Sequence, residues 1–167
     1  MTLMLKNILQ SLFVHPLVRK IDLDSPETTV LRRQIIQGKS FLKKFYHECY
    51  LSIAQSLSNH INCPVAELGS GAGFLKEYIP NFLTLGIIKI PDVDLIFDGT
   101  NLPFSTDTLK GIVMIDVLHH IPNVASFFSD AAACIKPGGV IVIMSLGQHF
   151  GRASSIVTCI MKRLSWM

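Results

Sequence analysis

The chain is poor in the features that mark most specialised proteins. Its four cysteines (Cys49, Cys63, Cys134 and Cys159) are widely spaced, with no C-x-x-C pair. That excludes a disulfide framework and the usual zinc spacings, and it reads as reduced thiols of a cytoplasmic protein. No cluster of metal ligands is visible. His119 and His120 are neighbours in sequence, so their side chains are expected to diverge, and no metal site is expected. No uninterrupted apolar run reaches the ~18 residues needed to cross a bilayer. The moderately apolar start is broken by Lys6, Gln10 and His15 and lacks a small-residue cleavage site, which argues against a signal peptide. Internal repeats, low-complexity segments and nucleic-acid-binding motifs are all missing, so no nucleic-acid partner is expected. Charged residues are only 16% of the chain.

Apolar residues, by contrast, are plentiful. They make up 49% of the 167 residues, and the mean hydropathy is +0.43. This length supports one domain with a sizeable core. The net charge of +3 is unevenly placed. Residues 1–60 carry eight Lys/Arg against four Asp/Glu, residues 61–150 four against eight, and residues 151–167 three against none. Basic ends around an acidic middle are compatible with solvated helix faces or with peripheral contact with an anionic membrane.

The order of elements follows from punctuation and periodicity. Leu3 to Val14 has the spacing of a short amphipathic helix. Asp24-Ser25-Pro26-Glu27 reads as a helix start, with Asp24 as cap and Pro26 in the first turn, and the helix should run to about Gln37. A second helix is predicted from the apolar face of Phe41, Leu42, Phe45, Tyr46, Cys49, Tyr50, Ile53 and Leu57. Its aromatic residues belong either to the core or to the roof of a site. From Val65 short strands and helices alternate. Strands are predicted at Val65–Leu68, Leu83–Ile88, Val93–Phe97, Gly111–Ile115 and Val140–Ser145, and helices at Phe74–Ile79 and Asn123–Ile135. Lys136-Pro137-Gly138-Gly139 is a sharp turn. Such alternation predicts an α/β fold with a parallel sheet. Ligands of such sheets bind beyond the carboxyl ends of the strands, so Glu67, Gly86, Asp98, Asp116 and Ser145 should gather on one edge.

The most informative stretch is Glu67-Leu68-Gly69-Ser70-Gly71-Ala72-Gly73. A glycine turn after a strand lets the backbone approach a ligand closely. The glycines run G-x-G-x-G, and Phe74 stands where the third glycine of the dinucleotide pattern G-x-G-x-x-G would fall. An acid, Glu67, precedes the first glycine by two residues.

This E-x-G-x-G-x-G stretch resembles motif I of the class I S-adenosylmethionine-dependent methyltransferases, and further matches follow in order. Asp98-Gly99-Thr100-Asn101-Leu102-Pro103-Phe104 is similar to the family's loop after strand three. Asp116 to Ile121 is similar to its segment after strand four, and Ile135-Lys136-Pro137-Gly138-Gly139 to its turn before strand five. The stretch Asp22–Tyr50 looks like the helical extension that one branch of the family carries ahead of motif I. The resemblance implies a Rossmann-like sheet of strand order 3-2-1-4-5. The chain is expected to divide into a helical extension (residues 1–60), a cofactor-binding core (61–150) and, from the spacing of Ile156, Val157, Ile160, Met161 and Leu164, a C-terminal amphipathic helix (151–167).

The resemblance also implies roles. Gly69, Gly71 and Gly73 would hold the methionine part of S-adenosyl-L-methionine, with Glu67 near its amino group. Asp98 would accept from the adenine amino group, the Gly99 N–H would face the ring, and Asp116 would line the site beside the methyl group. His120, after strand four, is the candidate base for a small-molecule acceptor. The alternatives are a packed or loop histidine at His120 and a turn-capping aspartate at Asp98.

Two departures stand out. The family's acid at the end of strand two is replaced by Gly86. After strand five only Gly147–Met167 remains, which leaves room for a helix and not for the family's antiparallel hairpin. Strand 140–145 would then be an apolar sheet edge, open to self-association and only partly covered by a basic helix suited to an anionic membrane. Three readings result: a methyltransferase acting on a small-molecule or lipid-like acceptor, a truncated and catalytically impaired relative that works as a binding or interaction module, and a dinucleotide oxidoreductase. The glycine spacing and Gly86 speak against the last.

Overall fold

The computed structural model describes residues 26–57, 62–71, 73–97 and 101–145, together with the backbone of 157–162. The expected helix at Leu3–Val14 lies outside the described residues, as do Asp24, Asp98 and Gly99.

Two helices come first, α1 (Pro26–Gly38) and α2 (Ser40–Ser56). Pro26 opens α1, where its missing N–H costs nothing and its fixed φ suits the first turn. The five parallel strands are β1 (Val65–Leu68), β2 (Phe82–Gly86), β3 (Leu95–Ile96), β4 (Leu109–Ile115) and β5 (Ile135–Ser145), with α3 (Val124–Cys134) between the last two. Their order is 3-2-1-4-5, as expected. Asn123 caps α3, its side-chain oxygen accepting from the Ser126 N–H at 3.0 Å.

Side-chain alternation divides the core into two layers. Val65, Val113, Val140, Val142 and Met144 face one side and pack with Ile36, Cys49, Tyr50, Ile53 and Leu57 of the two N-terminal helices. Ala66, Leu68, Ile112, Met114, Ile141 and Ile143 face the other and pack with Phe127, Ala131 and Cys134 of α3. All four residues of β1 are buried, as befits a strand covered on both faces. Glu67 shares the parity of Val65, so its side chain is aimed at the layer of α1 and α2.

Three expectations need correction. The segment after the glycine loop is not a helix of six residues but a 3-10 turn, Leu75–Glu77. Pro80 stops it before a helix long enough to be stable alone can form. The turn Lys136–Gly139 lies inside the bounds of β5 as an excursion from the ladder: Leu109 pairs with Ile135 and Gly111 with Val140, so five residues of β5 answer two of β4. The largest correction is at the end of the chain. Val157–Lys162 is not helical but a sixth strand, β6, antiparallel to β5 from Val140↔Lys162 to Ser145↔Val157. The predicted helix of 151–167 is therefore replaced, over these residues, by a strand. The edge of strand 140–145, expected to be open for self-association, is hydrogen-bonded along six residue pairs. The membrane contact expected of a basic helix loses its helix. The physical reason is the unpaired row of N–H and C=O groups that an apolar edge presents, which a β-branched segment satisfies by joining the ladder.

Truncation after Ser145 should therefore uncover β5. The shortened chain is expected to self-associate in sedimentation velocity at concentrations where the full chain does not. A monodisperse, folded truncation product would show that β6 is not what protects this edge.

Candidate functional site

The carboxyl ends of β1, β2 and β4 surround a cleft made of two adjoining cavities. The larger, about 780 Å³, is lined by Gly69, Gly71, Gly86, Ile87, Phe97, Asp116 and His120 among others. The smaller, about 410 Å³, lies under α1 and α2 and is lined by Tyr46, Tyr50, Glu67, Ser70 and Gly73. Arg32, Gly69, Gly71, Ile115 and Asp116 border both. Of the sequence-predicted site residues, Glu67, Gly69, Gly71, Gly73, Asp116 and His120 are thus brought together, and Gly86 and Ser145 join them.

The glycine loop has a conformation that its residues explain. Gly69 and Gly71 lie at φ +66° and +43°, in the left-handed region. A side chain at Gly69 would also run into Val117. Gly73 is restricted by crowding instead: a Cβ there would sit 2.9 Å from the Ser70 carbonyl and 3.3 Å from the Tyr50 hydroxyl. The loop closes on itself through Gly73 N–H to Ser70 O at 2.8 Å, and Ser70 is tied to the Leu85 carbonyl by its N–H at 3.1 Å.

Glu67 is 3% exposed, and among the described residues no group hydrogen-bonds to or ion-pairs with its carboxyl. Burial alone pushes its pKa from 4.5 up to about 8. Among the described residues no buried side-chain polar atom is shut off without a partner, so the carboxyl keeps its contact with the cavity it lines.

The helix layer supplies the cover. Tyr50 is fully buried and packs against Phe74 and Tyr78 with ring centroids 5.1 and 5.2 Å away. Its hydroxyl accepts from the Phe74 N–H at 3.4 Å. Burial pushes the Tyr50 hydroxyl far above its ordinary range. Burial also raises the pKa of Tyr46, helped by the negative charge of Asp116. Of the four aromatics that could have roofed the site, Tyr46 and Tyr50 line the smaller cavity, while Phe41 is 78% exposed. Arg33 fastens α1 to the core, pairing with Glu77 at 3.3 Å and with Asp92, and lying 5.9 Å above the Phe74 ring.

Asp116 adopts φ +55°, uncommon for a residue with a Cβ, immediately after β4. Its N–H donates to the Met144 carbonyl at 2.9 Å, and the Ser145 hydroxyl donates to its Oδ1 at 3.3 Å. That places a half-buried acceptor at the border of the two cavities. His119 and His120 lie in a 3-10 turn, Leu118–His120, and their rings lie 4.0 Å apart, tilted by 41°, instead of diverging. His120 lines the larger cavity. Gly86 ends β2 and lines the same cavity, next to Ile87, Ile88, Ile90 and Val93. Asp94, the later acid, is turned to another use. It accepts from the Thr84 N–H and hydroxyl and from Lys76, contacts that hold its pKa below the ordinary value.

No helix among the described residues is long and apolar enough to cross a membrane. Among them, no group of three or more His, Cys, Asp or Glu side chains is placed to hold a metal ion.

Solved structures share this architecture. An S-adenosylmethionine-dependent methyltransferase from Aquifex aeolicus superposes with a TM-score of 0.50 at 14% identity, covering 64% of this chain and 69% of its own. A protein from Methanococcus maripaludis assigned to the S-adenosyl-L-methionine-dependent methyltransferases gives 0.55 at 18%, covering 76% and 66%. Phosphoethanolamine N-methyltransferase 2 of Haemonchus contortus, solved with S-adenosyl-L-methionine, gives 0.50 at 17%, covering 65% of this chain and 30% of its own. The chain thus spans between about a third and about two thirds of these proteins' lengths. No curated protein sequence matches it significantly. Residues 51–163, well over half of the chain, match the family described as the methyltransferase domain, and the chain belongs to that family.

Proposed function

We propose that this chain binds S-adenosyl-L-methionine in the cleft and transfers its methyl group to a small-molecule or lipid-like acceptor. The observation that carries this reading is Glu67. A buried carboxyl without a partner, opening on a cavity beneath a glycine turn, is fitted to a ligand that brings its own positive group. The α-ammonium of the cofactor is such a group, and the close backbone approach at Gly69 and Gly71 suits a ligand lying along the loop. The ribose end fits less well, because Gly86 and its isoleucine neighbours offer no carboxylate to a diol. Asp98 and Gly99, the residues proposed for the adenine, follow Phe97, which lines the larger cavity.

When bound, the cofactor supplies a methyl group already activated by a sulfonium centre. The protein's share is positioning and exclusion of water. Asp116, held by Met144 and Ser145, would lie beside the transferring group. Tyr46, Tyr50 and α1 would exclude water from the methionine side. His120 is the candidate to take a proton from an oxygen or nitrogen acceptor. A second reading, a binding module without turnover, rests on the missing acid at Gly86.

Calorimetry tests the binding claim. S-adenosyl-L-methionine is expected to bind weakly, and Gly71→Val to abolish binding, because valine is strained at a positive φ. Gly86→Asp should tighten binding about tenfold, since a carboxylate accepting from a diol is worth ~1.5–3 kcal/mol. A Cβ at Gly86 meets Val93 at an ordinary 3.4 Å, so the variant should fold. Binding of NAD but not of S-adenosyl-L-methionine would refute the reading.

Glu67 adds a pH signature. Its carboxyl stays protonated in the empty site below pH about 8, whereas in the unfolded chain it ionises near 4.5. The folded state therefore holds the extra proton in that window, and the contribution of Glu67 to stability falls as pH rises through it. Glu67→Gln does not titrate. It should gain on the parent by an amount that is near zero at pH 4.5 and grows to a few kcal/mol above pH 8, as read from urea unfolding at several pH values. A difference independent of pH would mean that this carboxyl is already ionised. On an acceptor that supports turnover, His120→Ala should lower kcat about a hundredfold while leaving cofactor affinity unchanged. Unaltered turnover would remove His120 from the chemistry.

A further inference from the structure

We propose that the corner between α1 and α2 is a docking surface for an anionic membrane, with Phe41 entering the lipid and Lys39, Lys43 and Lys44 holding its headgroups. α1 ends at Gly38 and α2 begins at Ser40, so Lys39 alone joins them. Every residue from Gln37 to Phe41 is exposed, as are Lys43 and Lys44. Phe41 is 78% exposed, more than any other large apolar side chain among the described residues. Helical periodicity puts it there. Leu42, Phe45, Cys49 and Ile53 take the core-facing side of α2, and Phe41 falls outside that stripe.

No ring packs on Phe41 among the described residues, and none of the three lysines is ion-paired there. The stretch from Gln37 to Phe45 contains no acid, and Glu48 on α2 lies a full turn beyond Lys44. An exposed aromatic among unpaired lysines makes two demands, and one partner meets both. A bilayer interface accepts an aromatic ring at headgroup level. Its anionic groups attract the lysines, whose long stems lie along the apolar boundary. Single-stranded nucleic acid fits less well. Successive bases need successive exposed rings, and Phe45 and Tyr46 are turned onto the core.

α2 also sets where the corner points. Leu57, just past its end, stands against Gly111 near the start of β4. Tyr46 and Tyr50 reach the cavities at the carboxyl ends of the strands. Phe41, nine residues before Tyr50, therefore lies ~13 Å further along the helix, on the carboxyl side of the sheet. A bilayer on the corner thus lies on the same side of the sheet as the cleft, as a lipid-like acceptor would require. The docking itself does not depend on the methyltransferase reading.

The test is sedimentation of the full chain with vesicles of phosphatidylcholine alone, or mixed equally with phosphatidylserine. Binding is expected to the mixed vesicles only, and to weaken as salt is added. Phe41→Ser should weaken it about tenfold. Lys39→Gln, Lys43→Gln and Lys44→Gln together should weaken it about a hundredfold. Melting temperatures should match the parent's, because no internal contact is removed. Lys110→Gln with Lys136→Gln, which removes charge near the amino end of β4, should change binding less than about twofold. Binding that survives both corner variants undiminished would place the contact elsewhere in the chain and overturn the proposal. A parent chain that ignores the mixed vesicles, or binds single-stranded DNA in their place, would overturn it too, and would leave the cofactor reading intact.

Discussion

β1 pairs in parallel with β2 on one side and with β4 on the other, through four residue pairs each. The site depends on this double pairing. The chain leaves β1 toward β2 and later returns across it to reach β4, so the connections diverge at the carboxyl end of β1 and open a crevice there. The same pairing fixes the register of every side chain around the crevice. Glu67 stands opposite Thr84 and Val113, and a shift of one residue would turn it toward α3. Burial of all four β1 residues, with Leu68 at 1% exposure, makes such a slip costly.

The second layer decides the electrostatics. Glu67 would be an ordinary solvated carboxylate if α1 and α2 were absent. Their packing with Val65, Val113 and Met144 removes water from it. The ion pairs of Arg33 contribute little to this cover, because both carboxylate partners are more than half exposed. Burial of Ile36, Cys49, Tyr50, Ile53 and Leu57 holds the layer in place. Arg33 reaches the turn after the glycine loop and the loop before β3 at once. The helical segment ahead of the glycine motif therefore forms one wall of the cleft and is part of its chemistry.

The sequence carried the parallel strands well, because each is a short apolar run bounded by glycine, proline or aspartate. Its order could be read because four separate segments resembled one family in succession. The ends of the site were legible for a similar reason: Glu67, Gly86 and Asp116 each sit where an apolar run stops. β6 was not legible. Ile156, Val157, Ile160, Met161 and Leu164 fall on one helical face, yet Val157-Thr158-Cys159-Ile160 is rich in β-branched residues. Over so short a run the two periods cannot be separated. What decides is the unpaired edge of β5, a tertiary fact. The contact of the His119 and His120 rings was not legible because nothing in the sequence marks a 3-10 turn there. Arg32 was missed because an arginine on a helix bears no mark until the helix is placed. The available signal was its spacing from Thr29 and Ile36.

The cleft is unequal along its length, and the inequality has a physical consequence. At the β1 end it offers a buried acid, the Arg32 guanidinium and closely approachable backbone. At the β2 end it offers Gly86 and a wall of Ile87, Ile88, Ile90 and Val93. Lack of room does not explain the missing acid, since a Cβ at Gly86 meets only Val93 and the Ile88 carbonyl, at 3.4 Å or more. Nor has the acid moved nearby, because Asp94 is consumed by Thr84 and Lys76. Polar recognition is therefore concentrated on one end of any ligand, while the other end is held by apolar contact. Apolar contact scales with area and discriminates poorly between similar shapes. A hydrogen-bonding site, in contrast, rejects a ligand that leaves its buried groups unpaired. Selectivity in this cleft should thus reside at the β1 end. A ligand with no cationic group at that end would leave the buried Glu67 carboxyl unanswered and lose affinity.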